Sequence, residues 1–166
     1  QRIIDTYRQK YDKIKQLWGD GQKCLSAMIA KQTTKFGVHN DVIVLGGSGF
    51  ILPNNVLLEY PELKQKHGEY TYCARKMDVR IYGGKVVENL CQAIARCIIA
   101  IQLAEISERY KVALTVHDSI ICAVENDKVK EAIVFIESCM RAAPEWAEGL
   151  PLDCESGIGK SYGACA

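Results

Sequence analysis

"ALTVHDSIICAVEND" (residues 113–127) places a polar centre between two apolar arms. Both arms are rich in β-branched residues and are typical of half-buried β-strands. The centre consists of His117, Asp118 and Ser119, and a short polar connection between two strands predicts a β-hairpin. An Asn-Gly pair is the usual turn of such a hairpin, so the histidine and the carboxylate need an explanation.

Asp118 has two interpretations. A single Asp in a β-turn commonly accepts hydrogen bonds from the neighbouring backbone in an Asx-turn, and a His beside it commonly packs or bonds locally. Alternatively, a rigid hairpin tip holds the carboxylate as a ligand for Mg²⁺, which prefers oxygen ligands. Phosphoryl transfer commonly uses two such ions, and two ions need more than one carboxylate. The hairpin alone leaves both interpretations open.

A long helix is predicted directly before the hairpin, over residues 85–110, which contain neither Pro nor Gly. At about 100° per residue, four polar residues share one narrow stripe with Glu88 at its edge: Lys85, Asn89, Gln92 and Arg96. This set, the polar stripe, is either a solvated helix face or a DNA-binding face. Amide and cationic donors suit the acceptors that A·T and G·C pairs share in the minor groove.

The remainder of the chain mixes helical and strand patterns. The predicted elements are a first helix from Ile3 to about Ile29, a β-meander from residue 42 onward, a surface loop at 62–69, strands at 70–73 and 79–82, a helix at 128–140 capped by Asp127, and a short strand in the glycine-punctuated tail. The predicted fold class is α+β, with an antiparallel sheet and long helices.

Composition sets the bounds on function. The chain has 166 residues, of which 48% are hydrophobic and 25% charged, as expected of one globular domain. The net charge of +1 gives no global attraction to nucleic acid or membrane, so any such binding depends on a local arrangement. No uninterrupted apolar run approaches the roughly 18 residues of a membrane span, and no membrane partner is expected.

Eight cysteines are present, and no two of them form a C-x-x-C pair. This spacing argues against a zinc ribbon and against a redox motif. We expect reduced thiols in a cytoplasmic protein rather than a disulfide scaffold.

Helical spacing begins at Ile3 with no capping residue and no initiator Met before it. We therefore expect the chain to be a piece of a longer protein whose helix is already under way at Gln1.

Five segments follow the order found at the C-terminal end of the DNA polymerase I family (family A): "YRQKYDKIKQLW", "GSGFILPNN", "YGGKVVENLCQAIARCII", "TVHDSIICAV" and "PLDCESGIGKSYG". The chain resembles the bacteriophage-type members over nearly its whole length. The resemblance implies a DNA-directed DNA polymerase, a nucleotidyltransferase that adds deoxynucleotides to a primer 3′ end. It assigns about residues 1–82 to a fingers-derived helix and hairpin region and about 83–166 to the palm, with the natural C-terminus at or near Ala166.

The resemblance also implies roles for individual residues. Asp118 matches a palm aspartate that binds the catalytic Mg²⁺ ions, and His117 matches a histidine near the primer terminus. Gln92 matches a glutamine that contacts the minor groove of the primer–template DNA. Lys85, Asn89 and Arg96 would follow the duplex beside it. The implied partners are primer–template DNA, deoxynucleoside triphosphates and the remainder of the polymerase chain, in the cytoplasm of a bacterial host.

The chain departs from the family pattern at several points. Ser119 stands where many members have a Glu after the palm aspartate, and Glu88 stands where cellular relatives have an Asn. The motif that supplies the other metal-binding aspartate and the triphosphate-binding fingers helix are both absent, so the two-metal site needs an aspartate from outside these residues. We expect strand or surface roles for Asp153 and Glu155, and no activity from residues 1–166 alone.

Two alternatives remain at this point. Single-subunit RNA polymerases share the His-Asp-Ser sequence. A non-catalytic nucleic-acid-binding α+β module would use Asp118 only to make the turn.

Overall fold

The computed structural model describes residues 2–37, 43–45 and 49–165. Within them the helices are α1 (Arg2–Lys10), α2 (Asp12–Ile29), α3 (Gly83–Ser107) and α4 (Val129–Arg141). The strands are β1 (Lys35–Phe36), β2 (Ile43–Leu45), β3 (Gly49–Ile51), β4 (Leu57–Glu59), β5 (Lys64–Lys66), β6 (Glu69–Ala74), β7 (Met77–Ile81), β8 (Lys111–Val116) and β9 (Ser119–Ala123). Short 3₁₀ helices lie at Glu145–Ala147 and Tyr162–Ala164.

The predicted α+β class with antiparallel pairing is confirmed. The described strands form three small sheets rather than one, with the orders β1-β2-β3-β4, β5-β6-β7 and β8-β9. The chain divides into two compact units, Gln1–Ile94 and Ala95–Ala166, and α3 runs through the boundary. Each unit is described by itself below.

In the first unit, α2 packs against the start of α3. The helical pattern breaks at Tyr11 and then continues through Gly19 and Gly21 to Ile29, as the spacing predicts apart from the break. A Cβ atom at Gly21 would lie 2.7 Å from the Gly83 carbonyl oxygen, and one at Gly83 would overlap the Trp18 carbonyl oxygen. Only glycine allows the two backbones to approach this closely.

Aromatic side chains form the core under the first two sheets. Phe36, Phe50, Tyr60 and Tyr72 make successive edge contacts, with ring centroids 5.8, 6.5 and 5.1 Å apart. Phe50 and Tyr60 are buried. Tyr70 on β6 shares a hydrogen bond of 2.7 Å with Ser26, which fastens β6 to α2.

The prediction of a surface loop at residues 62–69 is wrong, because β5 lies within this range and pairs with β6. Its alternating Lys-Gln-Lys sequence has no apolar face, so it carries no strand pattern, and the pairing with β6 decides its structure. The predicted meander is present as β2, β3 and β4, while residues 42 and 46–48 within it lie outside the described residues.

The second unit packs the later part of α3 against α4. Cys97, Ile98 and Ile106 on α3 are buried, as are Ala132 and Cys139 on α4. Two polar links accompany this packing. The buried Gln102 donates from Nε2 to the Met140 carbonyl oxygen at 2.8 Å. Arg109 pairs with Glu131 at 2.8 Å and lies 4.8 Å above the Phe135 ring.

Two local predictions in the second unit are wrong. Asp127 does not cap α4, since the N-cap residue is Lys128 and no side chain accepts a capping bond. The tail contains no strand among its described residues. Gly157 and Gly159 lie directly against the backbone of residues 164–165, so the tail folds back on itself instead of extending.

Within the described residues, Gly83–Ser107 is one helix long and apolar enough to cross a membrane, with a mean hydropathy of 1.5 over an 18-residue window that is 28% buried. One such helix is weak evidence for a membrane, because core helices of soluble proteins meet the same criterion. No disulfide joins any of the eight cysteines, all of which lie in the described part of the chain.

Candidate functional site

The β8–β9 hairpin closes with a loop of two residues, His117 and Asp118. The last paired residues are Val116 and Ser119. His117 has a φ of +54°, in the left-handed region that favours glycine. An L residue other than glycine costs about 1–2 kcal/mol in that region. The turn therefore keeps a histidine at a position where glycine would be less strained.

A β-bulge lies in the arm that leads into this turn. The pairing shifts from Val112 opposite Cys122 to Leu114 opposite Ile121, which leaves Ala113 as the extra residue. A bulge increases the local twist and changes the direction in which following side chains point. It thus contributes to the orientation of His117 and Asp118.

Asp118 is exposed, and its carboxylate makes no hydrogen bond or ion pair within residues 2–37, 43–45 and 49–165. An Asx-turn would show a backbone N–H donating to this carboxylate. Asn54 has such a bond, since its Oδ1 accepts from the Val56 N–H at 3.2 Å. The geometry at Asp118 therefore does not support the Asx-turn interpretation.

The described residues offer one ligand to a Mg²⁺ ion at this hairpin. They contain no group of three or more His, Cys, Asp or Glu side chains placed to hold a metal. Mg²⁺ takes six oxygen ligands, commonly one or two carboxylates together with water and substrate phosphates. Asp118 fits one carboxylate of such a site, and any further protein ligands would have to come from outside the described residues.

Asp153 and Glu155 both lie at the surface. Asp153 pairs with Arg141 Nε at 2.8 Å and accepts a bond from the Cys154 N–H. The Arg141 guanidinium lowers the pKa of Asp153, which is otherwise exposed. Glu155 is exposed and lies outside any strand. Both residues lie at the surface and outside any strand, which agrees with the strand or surface roles expected for them.

The polar stripe on α3 divides into an engaged half and an open half. Lys85 pairs with Glu88 at 2.7 Å, and this bond raises the pKa of Lys85. Asn89 donates from Nδ2 to the Tyr60 hydroxyl at 3.2 Å. Gln92 and Arg96, by contrast, are exposed, and their side chains have no partner within the described ranges. The side-chain donors of Gln92 and Arg96, the open half of the stripe, are therefore available to a ligand.

The predicted site residues are divided between the two units. Lys85, Asn89 and Gln92 lie in the first unit, while Arg96, His117 and Asp118 lie in the second. The structure brings His117 and Asp118 together in one turn and places the four stripe residues along one helix.

A groove in the first unit was not predicted from the sequence. It includes Arg8, Lys15 and Gln22 in its lining, residues that recur every seven positions and therefore tend to share a helix face. That spacing was the available signal. Gly83 and Gly84 also line the groove, but they are remote in the sequence and give no such signal.

No family model and no solved structure matches the chain. A DNA polymerase of Bacillus phage SP02 is 27% identical to it over 175 aligned positions, which include 96% of this chain. The chain is similar to a phage DNA polymerase. It spans 26% of the length of that relative. A relationship to DNA polymerases is therefore supported for the chain as a whole.

Proposed function

We propose that this chain is part of a DNA-directed DNA polymerase of the family A type, with about residues 83–166 in the palm and about 1–82 derived from the fingers. The observation that carries the proposal is the exposed, unbonded carboxylate of Asp118 at a strained two-residue turn. The similarity to a phage DNA polymerase over 96% of the chain supports it independently.

The reaction is attack by the primer 3′-hydroxyl oxygen on the α-phosphate of a deoxynucleoside triphosphate. A new O–P bond forms as the bond to the leaving pyrophosphate breaks, and the proton of the 3′-hydroxyl passes to solvent. Bound Mg²⁺ would neutralise charge on the attacking and leaving oxygens. Asp118 would contribute one carboxylate to the metal site, together with an aspartate from outside residues 1–166. His117, fixed by the same turn, would help to position the primer end.

Gln92 and Arg96 are the stripe residues best suited to the duplex. Both are exposed and unpartnered within the described residues, so binding DNA would break no bond described in the protein. The Gln92 amide can donate to the N3 and O2 acceptors that all base pairs present in the minor groove. Lys85 and Asn89 would have to give up bonds to Glu88 and Tyr60 to take part.

The proposed partners are primer–template DNA, deoxynucleoside triphosphates and the remainder of the polymerase chain. The proposed location is the cytoplasm of a bacterial host.

Primer extension by the full-length polymerase that contains this chain tests the proposal. Asp118→Ala should lower the extension rate about a thousandfold or more while primer–template binding changes little. The matched control is Asp127→Ala, which removes another exposed carboxylate from the loop after β9. Extension at the wild-type rate by Asp118→Ala would refute the proposed role of the hairpin.

A further inference from the structure

The first unit contains a groove of about 600 Å³ between α1, α2 and the start of α3. This volume lies in the range of about 300–1,000 Å³ that is usual for ligand sites. Its lining consists of Arg8, Lys15, Trp18, Gly19, Gln22, Tyr82, Gly83, Gly84 and Glu88. None of these residues belongs to the hairpin that carries Asp118.

The groove is cationic. Within the described residues, the side chains of Arg8 and Lys15 form no ion pair, unlike Lys23, which pairs with Asp20 at 2.8 Å. Glu88 is the carboxylate in the lining, and it is already paired with Lys85 at 2.7 Å. Two unpaired cations therefore face a space in which the one negative charge is offset, which favours an anionic ligand.

The floor of the groove is the N-terminus of α3, a helix of 25 residues. The Gly83 N–H donates to Gln22 Oε1 at 2.8 Å, and the Val86 N–H donates to the Tyr82 carbonyl oxygen. The N–H group of Gly84, which also lines the groove, lies between them in the first turn, where a helix has no internal acceptors. The first turn therefore adds a donor and the positive end of the helix dipole to the two cations.

Two aromatic rings flank this floor. A Cβ atom at Gly84 would lie 3.3 Å from the Tyr82 ring and 3.7 Å from the Trp18 ring, so both rings lie close to the backbone at the start of α3. The rings of Trp18 and Tyr7 are stacked, with their centroids 6.4 Å apart and their planes at 18°. Tyr82, by contrast, is 54% exposed. An exposed aromatic face beside a phosphate-binding group is the arrangement on which nucleic-acid bases stack.

We propose that this groove binds one nucleotide unit, with its phosphate at Arg8, Lys15 and the first turn of α3 and its base against Tyr82. The chemistry is the same whether the unit belongs to a single strand or is a free nucleotide. The proposal rests on the proposed function only for the presence of such ligands.

Trp18 provides the readout. The chain has two tryptophans, so in the Trp146→Phe background fluorescence reports on Trp18 alone. Titration of the 166-residue chain with deoxyadenosine monophosphate or a ten-residue deoxythymidine oligonucleotide should change this fluorescence saturably, and inorganic phosphate should bind more weakly. Binding of the oligonucleotide alone would assign the site to a strand, and equal binding of the monophosphate would assign it to free nucleotide. No change with either would overturn the proposal.

Variants separate the site from general charge attraction. Arg8→Gln with Lys15→Gln should weaken binding about tenfold or more, whereas Lys10→Gln with Lys13→Gln, an equal charge change outside the groove, should stay within about twofold. Equal losses in the two double variants would overturn the proposal. Tyr82→Leu should weaken nucleotide binding about tenfold and leave phosphate binding unchanged. Primer extension dependent on Asp118 is measured separately, so failure at the groove is distinguishable from failure of the proposed polymerase function.

Discussion

The hairpins β6–β7 and β8–β9 both turn on two residues and both avoid glycine. Arg75 and Lys76 have φ angles of +50° and +65°, and His117 has +54°. The surroundings differ. The β6–β7 hairpin belongs to a three-stranded sheet in which Lys64 pairs with Asp78 at 2.7 Å and Arg80 with Glu69 at 2.8 Å.

The β8–β9 hairpin has no third strand among the described residues, and the carboxylate at its tip is unbonded. Isolated two-stranded sheets are marginally stable in water. Both loop residues of the β6–β7 turn have positive φ, whereas in the β8–β9 turn His117 alone does. A two-residue turn is therefore supported by neighbours in one hairpin and left with an open charged group in the other. We interpret the first as structural and the second as a ligand-binding turn.

The largest expected effect is a complete loss of primer extension when residues 1–166 are separated from the rest of the polymerase. Residues 1–166 alone should show no primer extension, because the β8–β9 hairpin offers one carboxylate and the described residues contain no cluster placed to hold a metal ion. The measurement is extension of a labelled primer by highly purified chain. Extension by the wild-type chain that disappears in an Asp118→Asn preparation would contradict this prediction, because it would show that residues 1–166 already form a complete catalytic site.

The contrast between engaged and open polar groups recurs along α3. In the full-length polymerase, Gln92→Ala should weaken primer–template binding about tenfold, equally for A·T and G·C ends, with little change in stability. Asn89→Ala should instead cost about 1 kcal/mol of stability, because it removes the bond to Tyr60. Binding titrations and thermal unfolding of both variants measure this difference. The reverse pattern would contradict the division of the stripe.

Glycine at the two turns separates strain from function. Arg75→Gly and His117→Gly should each raise the free energy of unfolding by about 0.5–1 kcal/mol, because glycine adopts positive φ without a Cβ penalty. Only His117→Gly should also slow primer extension. Denaturant unfolding and extension rates are the two measurements, and a rate loss in Arg75→Gly would remove the distinction between the hairpins.

The smallest effect is expected at the exposed pair of Lys64 and Asp78. The hydrogen bond from Lys64 to Asp78 raises the pKa of Lys64, so the pair stabilises the fold below about pH 10.5 and loses that effect as the pH rises above it. Asp78→Asn should therefore differ slightly from wild type in unfolding midpoint at pH 8 and converge with it at high pH. A difference that persists above that range would point to packing rather than charge.

Sequence patterns predicted the elements whose own residues determine them. The apolar arms around His117 and the helical spacing before them are local signals, and both elements are present. The strand β5 escaped prediction because Lys64–Lys66 has no apolar face and depends on pairing with β6. The bond between Asn89 and Tyr60 escaped for the same reason, since it joins residues that are 29 positions apart.

The sequence indicated candidate site residues but not their contacts. Residue types and spacing singled out Asp118 and the polar stripe, whereas only three-dimensional contacts show that Lys85 and Asn89 are engaged and that Gln92 and Asp118 are open. The groove at Arg8 is also lined by Gly83, which is distant in the sequence, and no local pattern indicates that these residues lie near each other.

Metal substitution tests most directly whether Asp118 is a metal ligand. In the full-length polymerase, Asp118→Cys should be inactive with Mg²⁺, a hard ion that disfavours thiolate, and should regain part of its activity with Mn²⁺, which tolerates softer ligands. Asp127→Cys should remain active with either ion. An Asp118→Cys polymerase that extends primers with Mg²⁺ at the wild-type rate would contradict the account.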